Sequence, residues 1–221
     1  SDLIPYKEAV ARAVAHRADR PVILADVQDN PGGGSGSDSV WLLHELVERK
    51  AEGVAIGMVF DPDAVRLAFD AGVGETIHLA LGGKLLPGHR PYSAAFRVAG
   101  LHTGPFRCEG PMARGMVIDL GGMALLETGG ILVSVGSVRI QAADRAVFTV
   151  FGLDPAAMRI LVLKSFIHFE ADFGPMASEI VRVEAPGAEF DDPGKVEYLN
   201  LRDGIRLWGK GRTFHAGTVI R

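Results

Sequence analysis

The 221-residue sequence predicts an α/β fold made of parallel βαβ units with an antiparallel, β-rich insertion. Two observations lead to this prediction. In the first third of the chain, short apolar runs rich in β-branched residues alternate with helical patterns, as in parallel strands joined by right-handed crossovers. After residue 74, several short strands follow one another between glycines, which is typical of an antiparallel meander. We predict a single domain over residues 1–221, with no regular element assigned in the tail from about residue 187.

Apolar spacing and turn residues place the individual elements. The predicted helices cover residues 5–18, 39–49, 62–71, 144–148 and 168–177. The predicted strands cover residues 21–27, 53–60, 75–81, 94–101, 115–120, 123–127, 130–135, 159–163 and 179–183. Asp61 and Pro62 mark one helix start clearly, because Asp caps a helix and Pro fits its first turn.

Composition excludes several classes of protein. The net charge of −4, with both signs mixed along the chain, gives no nucleic-acid or membrane-surface signature. No apolar run is long enough to span a membrane, and the first residues do not resemble a signal peptide. The single cysteine, Cys108, rules out an internal disulfide framework and favours a reducing, cytoplasmic location. A small core residue is the commoner role for such a cysteine than a nucleophile.

A glycine-rich loop at residues 29–38 connects the strand at 21–27 to the following helix. A loop in this position can present backbone amides at the positive end of a helix dipole, which suits an anion or a polar substrate group. Ser37 or Asp38 is the predicted helix cap. The loop is neither a P-loop nor a dinucleotide fingerprint. It either binds a ligand or uses its glycines only for backbone angles. Asp26 and Asp29 could hold a cation or be satisfied by loop amides.

Polar side chains follow three of the predicted strands. They are Asp29 and Asn30, Arg139 and Gln141, and Lys164, Ser165 and His168. If the first and late strands are parallel neighbours, these groups converge where α/β folds bind ligands. They could bind a carboxylate or polarise a carbonyl there. Alternatively, Arg139 pairs with Asp144, and Lys164 and His168 only begin a helix. No histidine, cysteine or carboxylate spacing indicates a metal site.

Several segments, taken in order, resemble the C-terminal domain of the microcystinase C (MlrC) family. The longest is residues 22–34, VILADVQDNPGGG, followed by Gly36 and Asp38. The others are Asp61-Pro62, residues 71–74, residues 81–84, residues 139–141 with Asp144 and Phe148, and residues 152–155. The segment KSFIHF at residues 164–169 resembles the family's K-S-x-x-H-F segment. The likeness covers roughly residues 9–186.

This resemblance implies the C-terminal domain of a bacterial metal-dependent hydrolase, a peptidase whose zinc is held by an N-terminal domain outside this chain. The chain would contribute to a substrate cleft beside that domain, for a peptide-like or small amide substrate. Alone it is expected to be inactive and to hold no cofactor. With the strand-end positions, the resemblance makes His168 and Lys164 the expected catalytic residues. The expected substrate-binding residues are Asp29, Asn30, Gly32, Gly33, Gly34, Arg139 and Ser165.

Two functions of other classes remain open at this point. The chain could be a binding module whose glycine loop holds a small anion without catalysis. It could also be a structural domain that forms a homodimer. The metal content of the intact protein separates the hydrolase from both. Stabilisation by a ligand separates the binding module from the structural domain, because a ligand that binds only the folded state stabilises it.

Overall fold

The computed structural model describes residues 3–189, 192–207 and 213–215. The strands are β1 (Ile4–Pro5), β2 (Val22–Asp26), β3 (Val54–Phe60), β4 (Thr76–Leu81), β5 (Tyr92–Arg107), β6 (Val117–Thr128), β7 (Ile131–Gly136), β8 (Ile160–Leu163) and β9 (Glu179–Glu184). The α-helices are α1 (Tyr6–Ala15), α2 (Trp41–Glu48), α3 (Pro62–Ala71), α4 (Ala146–Thr149) and α5 (Glu170–Phe173). Within these residues, all the strands join one mixed sheet in the order β1-β9-β2-β8-β3-β7-β6-β5-β4.

The parallel half of the sheet matches the prediction. β2 lies between β9 and β8, β3 lies between β8 and β7, and all four pairings are parallel. Side chains of β2 alternate between two cores, since Val22 and Leu24 pack on one face and Ile23 and Ala25 on the other. The first core also contains α1, α2 and α3, whereas α4 and α5 pack on the second. Burial on both faces explains the nearly continuous apolar runs in the sequence.

The antiparallel insertion extends the same sheet. β4, β5, β6 and β7 pair antiparallel in succession, and β7 joins them to the parallel half through β3. The two strands predicted at 115–120 and 123–127 are a single strand, β6, which continues through Gly121 and Gly122. β5 is also longer than predicted, because irregular pairing near Gly100 and Gly104 bends the strand without ending it.

The helices lie where they were predicted, but some are shorter than predicted. Asp61 caps α3, since its Oδ1 accepts a hydrogen bond of 3.1 Å from the Ala64 amide. The helix predicted at 168–177 is shorter: α5 is followed by a 3₁₀ turn at Gly174–Met176, because Pro175 has no amide hydrogen for an α-helical bond. In the described part of the tail, a 3₁₀ turn covers Pro193–Lys195. The remaining tail residues, at 190–191, 208–212 and 216–221, lie outside the described residues.

Cys108 belongs to a third, small core cluster with Phe106 and Met123. Burial, assisted by the nearby Asp144 carboxylate, raises the pKa of the Cys108 thiol to about 11. The thiol therefore stays protonated at neutral pH, which agrees with the core role rather than with a nucleophile. Among the helices that the structure describes, none is both long and apolar enough to cross a membrane.

Candidate functional site

A buried lysine lies where the carboxyl ends of β2 and β8 meet. Lys164 is 1% exposed, and its Nζ donates to Asp26 Oδ2 at 2.8 Å, Asp29 Oδ2 at 2.7 Å and Ser39 Oγ at 3.1 Å. These three bonds use every hydrogen of the ammonium group. Asp26 and Asp29 thus pair with a cationic side chain of the protein itself, and Asp29 also accepts from loop amides.

Electrostatics keep this cluster charged. Burial alone would lower the pKa of Lys164, but the carboxylates of Asp26 and Asp29 outweigh it and raise that pKa above its ordinary value. Burial likewise opposes ionisation of Asp29, yet Lys164 and the surrounding hydrogen bonds lower the pKa of Asp29 to about 2. For Asp26 burial dominates, and its pKa is raised. A buried, permanently charged Lys164 favours a structural role over the expected catalytic one.

The Asp29 carboxylate, which was predicted to bind substrate, accepts hydrogen bonds from the glycine-rich loop itself. Its Oδ1 accepts from Ser35 Oγ at 2.7 Å and from the Ser37 amide at 2.8 Å, and its Oδ2 accepts from the Ser39 amide at 2.7 Å. Asp29 is completely buried. The amides of Ser37 and Ser39 are therefore satisfied within the protein, and of the two alternatives for the loop these bonds favour a structural role for this part of it.

The helix cap was also predicted incorrectly. α2 begins after Val40, and neither Ser37 nor Asp38 caps it. Ser37 Oγ instead donates to the Met58 carbonyl at 2.8 Å. Asp38 Oδ2 accepts from the amides of Lys84 and Leu85, at 2.6 and 2.8 Å. Both side chains tie the glycine loop to neighbouring strands and turns.

The glycines of the loop form one wall of an open cleft. Asn30 Oδ1 accepts from the Gly32 amide at 2.9 Å, which closes a tight turn at Pro31–Gly33. Gly34 then has a φ of +106°, a conformation that favours glycine. The cleft has a volume of about 290 Å³ and is lined by Pro31, Gly32, Gly34, Ser35, Arg139, Ile140 and Gln141.

Gln141 connects the two halves of the candidate site. Its Oε1 lies 3.0 Å from His168 Nδ1 and accepts from Ser165 Oγ at 3.4 Å. A Cβ atom at Gly32 would lie 2.6 Å from the same Oε1, so only glycine allows this approach. Because an amide oxygen only accepts, this contact places a hydrogen on His168 Nδ1 and directs Nε2 away from Gln141. His168 itself is exposed.

Arg139 is the exposed cation on the cleft wall. Its guanidinium carbon lies 5.0 Å from the centre of the Phe60 ring, within the range of a cation–π contact. The alternative pairing with Asp144 is wrong, because Asp144 accepts instead from the amides of Gly110 and Ala146, each at 2.9 Å. The Arg139 side chain thus lies beside the cleft with its charge turned toward a ring rather than toward that acid.

The structure brings together some of the expected site residues and separates others. Gly32, Ser165 and His168 meet at Gln141, with Arg139 and Gly34 along the same cleft. Three others form hydrogen bonds within or beneath the loop: Lys164 donates to Asp29, and Asn30 accepts from the Gly32 amide. Sequence reasoning named Gln141 only as a polar neighbour of Arg139, and no local pattern shows that it contacts His168, which is 27 residues away.

Glu189 is a site residue that sequence reasoning missed. Its amide donates to the Gln28 carbonyl at 3.0 Å, and its carboxyl group lies against Gly33, where an added Cβ atom would come within 2.4 Å. A side chain at position 33 would therefore have to displace the Glu189 carboxyl group. Burial, together with the charges of Asp29 and Asp26, raises the pKa of Glu189 to about 7.

Folding therefore favours the protonated form of Glu189. Its stabilising effect is complete below the ordinary pKa of 4.5 and is lost as the pH rises through about 7. We expect Glu189→Gln to become more stable than the wild type as the pH rises from 5 to 8, measured by urea unfolding. Glu52→Gln, at an exposed carboxylate, is the control. Parallel stability curves for Glu189→Gln and the wild type would contradict this prediction.

No group of three or more histidine, cysteine, aspartate or glutamate side chains that could hold a metal ion occurs among the residues that the structure describes. Lys164 already neutralises the buried carboxylates nearest the cleft. The described residues therefore do not fit a metal centre. The zinc that the sequence resemblance implies is expected in an N-terminal domain outside this chain. No step of the chemistry considered below is derived through a metal held by this chain.

Comparisons with known proteins agree with the fold and with the sequence resemblance. Microcystinase C from Sphingomonas sp. is 31% identical over 163 residues, which are 74% of this chain and 32% of that protein. A crystal structure of a candidate metallopeptidase from Mesorhizobium sp. BNC1 has a similar fold, with a TM-score of 0.80 and 23% identity. The match covers 99% of this chain and 42% of that one.

The chain thus spans about a third of the length of Microcystinase C and less than half of the similar structure. A family model described as the MlrC C-terminus matches residues 24–200, which include the glycine loop, the cleft and the Lys164 cluster. With most of the chain matched, this protein belongs to the MlrC C-terminal family.

Proposed function

We propose that this chain forms one wall of the substrate cleft in a metal-dependent hydrolase that cleaves peptide or small amide bonds. The observation that carries the proposal is the bond between Gln141 Oε1 and His168, which holds an exposed imidazole next to a residue that lines the cleft. The enzyme name of Microcystinase C supports hydrolysis by the longer protein that would contain this chain.

In this proposal, His168 transfers the proton. Gln141 accepts the hydrogen of Nδ1, so Nε2 can take a proton from the attacking water and return it to the leaving amine. Arg139, exposed on the cleft wall, binds a carboxylate or carbonyl oxygen of the substrate. Gly32 and Gly34 carry no side chains, so a substrate backbone can approach the loop closely.

The metal would come from the other part of the protein. A zinc ion held there by the N-terminal domain would activate water and polarise the scissile carbonyl. This chain contributes binding and proton transfer, and we expect it to be inactive alone.

The rim around the cleft supports a contact with that N-terminal domain. Large apolar side chains are exposed at four loop positions close to the site: Leu85, Val138, Phe166 and Ile167. A contiguous exposed apolar patch often marks a protein-contact surface, and we propose that these four positions are covered by the N-terminal domain. The longer relatives have room for a further domain on this rim, because the chain spans only about a third of Microcystinase C.

The small-anion alternative has less support, because Asp29 already binds the amides of Ser37 and Ser39. A homodimer through the apolar rim is the remaining alternative. It would appear as a stable dimer of the 221-residue chain in sedimentation, and as a monomer once the chain is part of the longer protein.

His168→Ala in the longer protein should lower kcat/KM by about 100-fold or more, the usual effect of losing a general acid or base. The assay is mass-spectrometric detection of products from a mixture of linear peptides, with thermal unfolding as the test of folding. The unfolding temperature should hardly change, because the imidazole is exposed.

His78→Ala is the matched control, since His78 is also exposed but lies on β4, the edge strand of the sheet away from β2 and β8. Unchanged hydrolysis in His168→Ala, or equal losses in both variants, would reduce His168 to a surface residue. Gln141→Leu should reproduce much of the His168 effect, because it removes the acceptor that orients the ring.

A further inference from the structure

A second pocket lies directly beside the cleft. It has a volume of about 110 Å³, and Ile140 and Gln141 line both it and the cleft. Phe106, Met112 and Ile118 supply most of its apolar wall. A ligand that lies along Gln141 in the cleft can therefore place a side group in this pocket.

Two polar side chains that line the pocket, Asp144 and Cys108, do not offer it a free polar group, whereas Gln141 lies at the boundary with the cleft. Asp144 accepts from the amides of Gly110 and Ala146, so its charge is satisfied by the protein. The Cys108 thiol is held neutral by its raised pKa. Apart from Gln141, what remains is an apolar surface, and burying a polar group against it without a hydrogen-bond partner is unfavourable. The pocket selects an apolar group.

The volume of the pocket limits which apolar groups fit it. A cavity of roughly 150 Å³ holds benzene in an engineered protein. This pocket, at about 110 Å³, suits an aliphatic group better than an aromatic ring. Met112 at the pocket is about half exposed, and a flexible thioether side chain can adjust to different branched shapes.

We propose that this pocket is a side-chain subsite, which takes an aliphatic side chain of a peptide whose adjoining amide group lies against Gln141 in the cleft. Its part in hydrolysis rests on the function proposed above, whereas binding of the side chain does not. The subsite would make the longer protein prefer Leu, Ile or Val over Gly next to the bond that it cleaves.

The test uses the 221-residue chain with ¹³C-labelled methionine methyl groups. N-acetyl-leucine methylamide should shift the Met112 methyl signal saturably, and N-acetyl-glycine methylamide should bind at least fivefold more weakly. The Met112 signal is assigned from the Met112→Leu spectrum. Equal binding of the two probes, or no shift at Met112, would overturn the subsite.

Ala113→Phe should fill the pocket and abolish the leucine-probe shift, since Ala113 lines it from a loop between β5 and β6. Ala157→Phe places the same ring at an exposed position outside the pocket and should bind like the wild type. Ala113→Leu gives the same answer with less bulk if Ala113→Phe fails to fold. Leucine-probe binding that survives both Ala113 variants would refute the proposal.

Failure of the subsite and failure of the proposed catalytic role of His168 would give different results. Leucine-probe binding with no effect of His168→Ala on hydrolysis would keep the subsite and remove the catalytic proposal. The reverse result would keep the proton-transfer role and remove the subsite.

Discussion

Lys164→Met is expected to destabilise the protein by about 3–5 kcal/mol, the usual effect of breaking a buried ion pair from one side. The methionine fits the volume of the lysine stem but leaves Asp26 and Asp29 without their cation, and both carboxylates are buried. The loss should be measured by urea unfolding at pH 7. It should shrink as the pH falls from 5 toward 2, because protonation of Asp29, with its pKa of about 2, removes the pair in the wild type as well.

Lys84→Met is the matched control. Lys84 Nζ lies 2.7 Å from Asp61 Oδ2, but the side chain is 39% exposed and the carboxylate also accepts from the amides of Ala64 and Gly82. Asp61 is buried but keeps these amide partners when Lys84 is replaced, so removing this pair should cost less than removing Lys164. Lys164→Met combined with Asp26→Asn should recover part of the lost stability. If Lys164→Met and Lys84→Met lost the same amount, the Lys164 cluster would not hold the loop as described.

Gly82→Ala is expected to lose about 2–4 kcal/mol, which combines the strain of a left-handed residue with overpacking. Gly82 has a φ of +56°, and an added Cβ atom would lie 2.3 Å from the Asp38 carbonyl oxygen. A backbone oxygen cannot rotate away as a side chain can. The clash would also disturb the 2.6 Å bond from the Gly83 amide to that oxygen, which joins the turn after β4 to the glycine loop.

Gly74→Ala separates the two contributions. Gly74 has a φ of +94° but no atom within 4 Å of an added Cβ, so this variant carries backbone strain alone. The excess loss in Gly82→Ala, measured as the difference in free energy of unfolding, reports the contact with Asp38. Equal losses in the two variants would show that the turn does not press on the glycine loop.

The parallel half of the fold was predictable because its signals are local. β2, β3 and β8 are apolar on both faces, and helical spacing with a clear cap at Asp61 follows β3. The edge at which the polar residues gather follows from the same patterns, since parallel strands end on the same side. Both the sheet and the position of the candidate site could therefore be derived from residue order.

Strand ends and helix lengths in the second half were less predictable. Gly121 and Gly122 resembled a turn, yet β6 passes through them because β5 pairs with β6 both before and after these glycines. The helix near residue 170 ends before Pro175. The prediction of a longer helix followed the apolar spacing and gave this proline too little weight. For β6, pairing with a distant strand decides where the strand ends, because it adds hydrogen bonds between residues far apart in the sequence.

The chemistry of individual side chains was decided by tertiary contacts. Lys164 and His168 stand four residues apart in one segment, but Lys164 points into a buried cluster with Asp29, 135 residues away, whereas His168 is exposed beside Gln141. Residue types and spacing establish that a cation and an imidazole follow β8. Whether each is buried or open to a substrate depends on which distant carboxylate or amide the folded chain brings within hydrogen-bond distance, because burial and pairing determine charge and access.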